Sequence, residues 1–131
     1  MFMNRKGFTL IELIMVIVLL GLLAIVAIPK YYDLQQDAKL AADKGTVGGV
    51  RAGIYTYFAK NKAYPALLGG SAGACTNANP CFGTVLDQGG IQQDWTCGTT
   101  GLVYSGSSGT VVAGGIGTCT YTPATGAFLC A

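Results

Sequence analysis

The chain has 131 residues, room for one compact domain beside a single extended element, and its formal charge of +2 comes from only eight basic and six acidic side chains. Every basic residue lies at or before Lys62, and beyond it Asp87 and Asp94 are the only charges, so the C-terminal half has no basic surface for a nucleic-acid backbone. With no histidine and no Cys-x-x-Cys pair among five cysteines, zinc binding, thioredoxin-like redox chemistry and imidazole-based catalysis lack the residues they need.

The N-terminus opens on a basic tip (Asn4, Arg5, Lys6), then Gly7, then an apolar run over residues 8–28 closed by Pro29. A helix of about 20 apolar residues rises roughly 30 Å, enough to cross the hydrocarbon core of a bilayer. The run holds one charge, Glu12. A carboxylate there costs about 2.5 to 3.5 kcal/mol on insertion scales, so it calls for a cation. Were the chain cut after Gly7, the new amine of Phe8 would lie one helical turn before Glu12, able to pair with this carboxylate or with that of a neighbouring copy.

Two plainer readings of the run are weaker. A cleaved secretory signal has an apolar region of about 7 to 15 residues and small residues at the first and third positions before its cut. This run is longer, and Ala27 has Ile25 two places upstream. An uncleaved anchor with a basic cytoplasmic tip accounts for the span and its orientation but leaves Glu12 without a task.

The residues Arg5-Lys6-Gly7-Phe8-Thr9-Leu10-Ile11-Glu12-Leu13-Ile14 closely resemble the start of bacterial type IV prepilins. The resemblance implies a leader of residues 1–7, cleavage between Gly7 and Phe8 by a membrane-embedded prepilin peptidase, and N-methylation of Phe8 by the same enzyme. It places the family's acidic residue on Glu12 and its helix-breaking proline on Pro29, and implies partners: identical subunits in a homopolymer, the inner-membrane assembly machinery, and the membrane itself before assembly. Residues 29–57 look most like the mannose-sensitive haemagglutinin type of pilin. In filaments of this kind the stretch between Gly21 and Pro29 commonly loses helicity, and the same is expected here.

After Pro29 the pattern turns amphipathic. Asp37, Lys44 and Arg51 recur every seven residues on one side, and Val47, Val50, Ile54 and Phe58 at three- and four-residue steps on another. This predicts a helix over residues 30–60 that continues the membrane helix of 8–29. Its weak point is glycine: Gly45, Gly48, Gly49 and Gly53 each cost about 1 kcal/mol relative to alanine. Ala41, Gly45, Gly49 and Gly53 fall four apart, a smooth stripe for a sheet or a second helix to approach. The alternative is a helix that frays or bends near Gly48 and Gly49.

Residues 61–131 read as a disulfide-containing head. Gly69-Gly70, Asn79-Pro80 and Gly89-Gly90 punctuate an irregular stretch up to Gly101, and strands are predicted over 102–105, 110–113, 118–122 and 127–130. A four-residue turn over 123–126 sets Thr122 opposite Ala127, Tyr121 opposite Phe128 and Cys119 opposite Cys130. Cys119 to Cys130 is therefore the preferred bridge, Cys75 to Cys81 the second, and Cys97 the odd thiol; Cys97 to Cys119 or to Cys130 stays open as a rival. Five cysteines beyond the anchor suit an oxidising exterior.

No catalytic constellation emerges. Asp87 and Asp94 are the head's only acids, Ser71, Ser105 and the cysteines lack a base, and Gly69-Gly70 and Gly114-Gly115 lack a P-loop lysine. No metal or cofactor is expected. Tyr31, Tyr32, Tyr55, Tyr57 and Phe58 on the spine, and Trp95 in the head, read as packing residues rather than as electron carriers or a ligand platform.

The expected fold is α+β: a long N-terminal helical spine packed on a small antiparallel β-sheet head. The expected function is the structural subunit of a type IV pilus, an inner-membrane precursor that becomes an extracellular filament and is not an enzyme. The alternatives are a type II secretion pseudopilin, or a single-span membrane-anchored binding module that never polymerises.

Overall fold

In a computed structural model, which describes residues 7–108 and 114–131, the first element is one helix, α1, Leu10–Asn61. The predicted strand over 110–113, and the leader residues before Gly7, lie outside the described residues. The chain divides into two units, Met1–Gln35 and Gln36–Ala131.

In the first unit no described residue is buried. Thr9 caps the helix: its carbonyl accepts the Leu13 N–H at 3.2 Å and its hydroxyl accepts the Glu12 N–H at 3.3 Å. The helix passes through Gly21 and Pro29 without leaving helical geometry. The proline ring removes one backbone donor, and the helix continues on both sides of it.

In the second unit, α1 supplies Val47, Val50 and Ile54 to the core, with Leu40 and Tyr57 partly buried against it. Phe58, expected on that face, is 38% exposed and instead stacks on Tyr64 with ring centroids 4.5 Å apart. The helix neither frays nor bends out of assignment at Gly48 and Gly49. Lys62, at φ 56°, ends it in the left-handed conformation, its N–H closing on the Phe58 carbonyl at 2.8 Å.

The sheet has five antiparallel strands in sequence order: β1 Gly73–Ala74, β2 Trp95–Cys97, β3 Val103–Gly106, β4 Thr118–Thr122 and β5 Ala127–Cys130. The last hairpin has the register set by its turn, with Thr122 on Ala127, Tyr121 on Phe128 and Cys119 on Cys130. Alternation is clean on β4, where Cys119 and Tyr121 are buried between exposed threonines. β1 and β2 were not foreseen: two and three residues are too short to carry a period, and Trp95 to Cys97 alternates over a single step.

Four aromatic rings form the centre of the core. Phe82 lies 4.4 Å from Tyr104, 5.3 Å from Trp95 and 5.7 Å from Phe128, the last two edge-on. Trp95 is thus a core residue, 3% exposed. Tyr104 and Tyr121 pin the connection after α1 to the sheet: the Tyr104 hydroxyl meets the carbonyls of Gly69 at 3.0 Å and Gly101 at 2.8 Å, and Tyr121 donates to the Pro65 carbonyl at 2.7 Å. Burial pushes both phenols above their ordinary value of 10.0.

The small-residue stripe behaves differently from its prediction. Gly45 has open space where a Cβ would stand, Gly49 only grazes Leu86, and Gly53 is in close contact with the backbone and side chain of Val85. What approaches the helix is the loop after Phe82, not a sheet or a second helix.

Candidate functional site

The apolar N-terminal helix is the first candidate. From Phe8, 83% exposed, through Ile28, 57% exposed, large apolar side chains point outward all round the helix. A helix that is hydrophobic on every side is built for lipid or for other helices, and α1 is long and apolar enough to cross a membrane. Glu12 sits in its first turn and is exposed. No lysine or arginine occurs between Gly7 and Pro29, so a cation for this carboxylate must come from the chain's own N-terminal end or from another molecule.

The structure adds a local role for Glu12. Thr9 at the cap with Glu12 three residues on is capping-box spacing, and the Glu12 N–H does bond the Thr9 hydroxyl. A carboxylate in the first turn also faces the positive end of the helix dipole, which offsets part of its cost there. The signal is present in the sequence as Thr-x-x-Glu ahead of an apolar run.

The cysteines of the head are settled as structure. Cys75 bonds Cys81 with Cα atoms 5.4 Å apart, and Cys119 bonds Cys130 across β4 and β5. Cys97 is the free thiol. At 4% exposed, with its sulfur 3.5 Å from the Gly70 carbonyl, it is not presented to another molecule, and burial raises its pKa from 9.0.

Two contacts that no periodicity announces tie the helix to the sheet. Asp43, 2% exposed, accepts the Ser108 N–H at 2.6 Å, with the Ser107 hydroxyl at 3.5 Å, and its carboxylate lies against the glycine face of Gly106. Arg51 donates its Nε to the Phe128 carbonyl at 3.0 Å, so a side chain occupies the open edge of β5. A lone aspartate in a helix reads as solvated until the strand end that donates to it is known.

Among the described residues no three His, Cys, Asp or Glu side chains gather as a metal site. Ser71, Asp87 and Asp94 stand exposed, and Ser105 pairs with Thr96 and Thr118 in the sheet.

The prokaryotic N-terminal methylation motif matches residues 2–28. This places the exposed helix, Glu12 and Gly7 within one recognised segment. Relatives that match the chain beyond this motif include proteins named as type IV pilins. The chain is 29% identical to fimbrial protein EcpC of Eikenella corrodens over 112 residues, 86% of this chain and 69% of that protein. It is 37% identical to type II secretion system core protein G of Pseudomonas aeruginosa over 62 residues (47% of this chain, 44% of that protein). With the type IV narrow pilus major component PilA5 of Thermus thermophilus it shares 40% over 63 residues, 48% of this chain and 54% of that protein. The chain therefore spans about half the length of the latter two. No solved structure matches it.

Proposed function

We propose that this chain is the structural subunit of a type IV pilus: inserted in the inner membrane through residues 8–29, cut between Gly7 and Phe8, methylated on the Phe8 amine, and polymerised into an extracellular filament of identical subunits. Prepilin peptidase and the inner-membrane assembly machinery are its partners on that route. The observation that carries the reading is the helix of residues 10–28, apolar and exposed on all sides, with a single acid in its first turn. In the filament, such helices replace lipid with one another, and an unpaired carboxylate among them is strongly penalised. Capture of one subunit's Phe8 amine by another's Glu12 removes the penalty and sets axial register. The bond from the Glu12 N–H to the Thr9 hydroxyl fixes the first turn before that amine arrives.

The test is assembly. Glu12→Gln and Glu12→Val leave the precursor stable in the membrane, and mechanical shearing then releases little filament. Mass spectrometry of wild-type filament finds methylated Phe8 as the first residue. Normal piliation by either variant, or Met1 retained in filament, refutes the proposal.

A type II secretion pseudopilin is the second reading, favoured by the match to core protein G. Two disulfides and the lack of an acidic cluster near the C-terminus weigh against its major form. A pseudopilin stays periplasmic and sheds nothing on shearing. Assignment to the mannose-sensitive haemagglutinin type rests on residues 29–57 alone.

A further inference from the structure

The free thiol of the head lies beside a disulfide. Cys75, Cys81 and Cys97 are all buried, at 3%, 0% and 4% exposure, and two independent contacts bring them together. The first is register: β1 pairs Gly73 with Cys97 and Ala74 with Thr96, and the Cys75 N–H continues the ladder onto the Trp95 carbonyl at 2.8 Å. Cys75 and Cys97 therefore stand on one face as diagonal neighbours, a spacing of about 7 Å between Cβ atoms. The second is Gly70. Its carbonyl is 3.5 Å from the Cys97 sulfur, and a Cβ built on it would stand 3.3 Å from the Cys81 sulfur and 3.5 Å from the Cys97 Cβ. The other bridge is farther off: Tyr104 of β3 pairs with Cys97 on one side and Cys119 on the other, which sets those two cysteines about 10 Å apart.

We propose that Cys97 is the attacking thiol of an internal thiol–disulfide exchange that opens the Cys75–Cys81 bridge, forms Cys81–Cys97 and moves the free thiol to Cys75. The Cys97 S–H gives its proton to hydroxide, and the thiolate attacks the Cys81 sulfur. The bond from Cys81 to Cys75 breaks, its electron pair leaves on the Cys75 sulfur, and that thiolate takes a proton from water. One disulfide and one thiol enter and one of each leaves, so no oxidant or reductant is consumed. Burial disfavours the Cys97 thiolate and raises its pKa from 9.0, which keeps the exchange slow at neutral pH. The exchange changes what the head presents. Residues 71–74 and 76–78 are exposed, and Cys75 is the buried residue between them. Freed from Cys81, this segment is held by the two-residue β1 and by the Asn79 side chain bonded to Ser71, so its thiol turns out to where another molecule reaches it. A cysteine sealed in the core is thereby traded for one at the surface.

The test is peptide mapping of the full chain in detergent, and it does not depend on whether the chain polymerises. Native protein is held with iodoacetamide at about pH 7 and at about pH 9, quenched in acid, digested with pepsin without reductant, and mapped by mass spectrometry. The expected result is alkylated Cys75 together with a linked Cys81–Cys97 peptide, formed at least about tenfold faster at the higher pH as the thiolate fraction rises. Cys97→Ser, which has no thiol to attack with, takes no label. Cys75→Ser tests reach directly: Cys81 and Cys97, now the two thiols of one cluster, oxidise in air to a Cys81–Cys97 bridge, with the Cys119–Cys130 peptide and Trp95 fluorescence unchanged. Label on Cys97 with Cys75–Cys81 intact, or no label at all, overturns the proposal. So does a link from Cys97 to Cys119 or Cys130, or a folded Cys75→Ser chain that keeps two free thiols. Should Cys75→Ser unfold, which Trp95 fluorescence reports, the wild-type map decides alone.

Discussion

Gly53→Ala and Gly45→Ala are the same chemical change in the same helix, and they should move stability in opposite directions. Alanine gains about 0.8 to 1 kcal/mol over glycine in a helix interior where its methyl meets nothing. Gly45 is such a place, with open space within 4 Å of the new carbon. At Gly53 the methyl would overlap the Val85 carbonyl oxygen and lie 3.1 Å from its Cβ. The obstacle is backbone, in a loop whose next residues are fixed by bonds from Val85 and Leu86 back to the Phe82 carbonyl at 3.1 and 3.0 Å. Forcing a methyl into such packing costs about 1 to 3 kcal/mol. The propensity gain is cancelled or exceeded, and the two variants should differ by about 1 to 3 kcal/mol. Urea unfolding of the detergent-solubilised chain measures this through Trp95, the single tryptophan, buried in the aromatic cluster. A Gly53→Ala midpoint equal to or above that of Gly45→Ala would refute the claim that close approach is what places glycine at 53.

The same assay serves two further perturbations, and filament density serves a third. Asp43→Ala leaves the buried Ser108 N–H without its acceptor and should cost about 1 to 3 kcal/mol, whereas an exposed-acid control, Asp37→Ala, should stay within about 0.5 kcal/mol. Stability should fall in alkali: Tyr104, Tyr121 and Cys97 all have folded pKa values raised by burial, from 10.0, 10.0 and 9.0. Their contribution is complete below the unfolded values and is lost as pH rises through the folded ones, so stability holds to about pH 9 and declines above it; Tyr104→Phe should flatten that decline, and an unchanged slope would contradict the assignment. In filament, residues 21–29 should lose helicity where the single subunit is helical; a density map with a continuous helix from Gly21 to Pro29 would count against it, and Pro29→Ala, by restoring the missing donor, should stiffen the segment.

What the sequence shows and hides follows from the length of each signal. The anchor is legible because the sixteen consecutive positions 13–28 carry no polar side chain, and the 119–130 hairpin because a four-residue turn fixes every partner after it. Val47, Val50 and Ile54 announce themselves by period. β1 and β2 do not, because strands of two and three residues have no period to read, and their place depends on the Cys75 to Cys81 loop and the Trp95 contacts made at a distance. Phe58 was misplaced because its spacing continues the apolar stripe for one more turn, while the chain beyond Lys62 turns back and offers it Tyr64 instead of the core. Asp43 was invisible for the opposite reason: an isolated acid is ordinarily solvated, and only the strand end at Gly106 to Ser108 makes it a buried acceptor.

On the proposed route of assembly, the glutamate at position 12 serves two states of the same molecule. In the membrane, a carboxylate at the start of a helix is tolerable, since the first-turn N–H groups have no partners of their own and the dipole is positive there. The bond from the Glu12 N–H to Thr9 fixes that turn before any other subunit is present. In a bundle of such helices, the water and headgroups that complete its solvation are gone, and the cation that the proposed cleavage would give every subunit at the same depth is the Phe8 amine. Thr9→Ala separates the two roles. It removes the cap, at a cost of about 1 kcal/mol, and leaves the charge. Assembly should therefore survive Thr9→Ala with reduced efficiency and fail with Glu12→Gln, which keeps a neutral residue able to complete the capping box but no charge for the amine. If the two variants impair filament yield equally, the cap and not the ion pair is what position 12 provides.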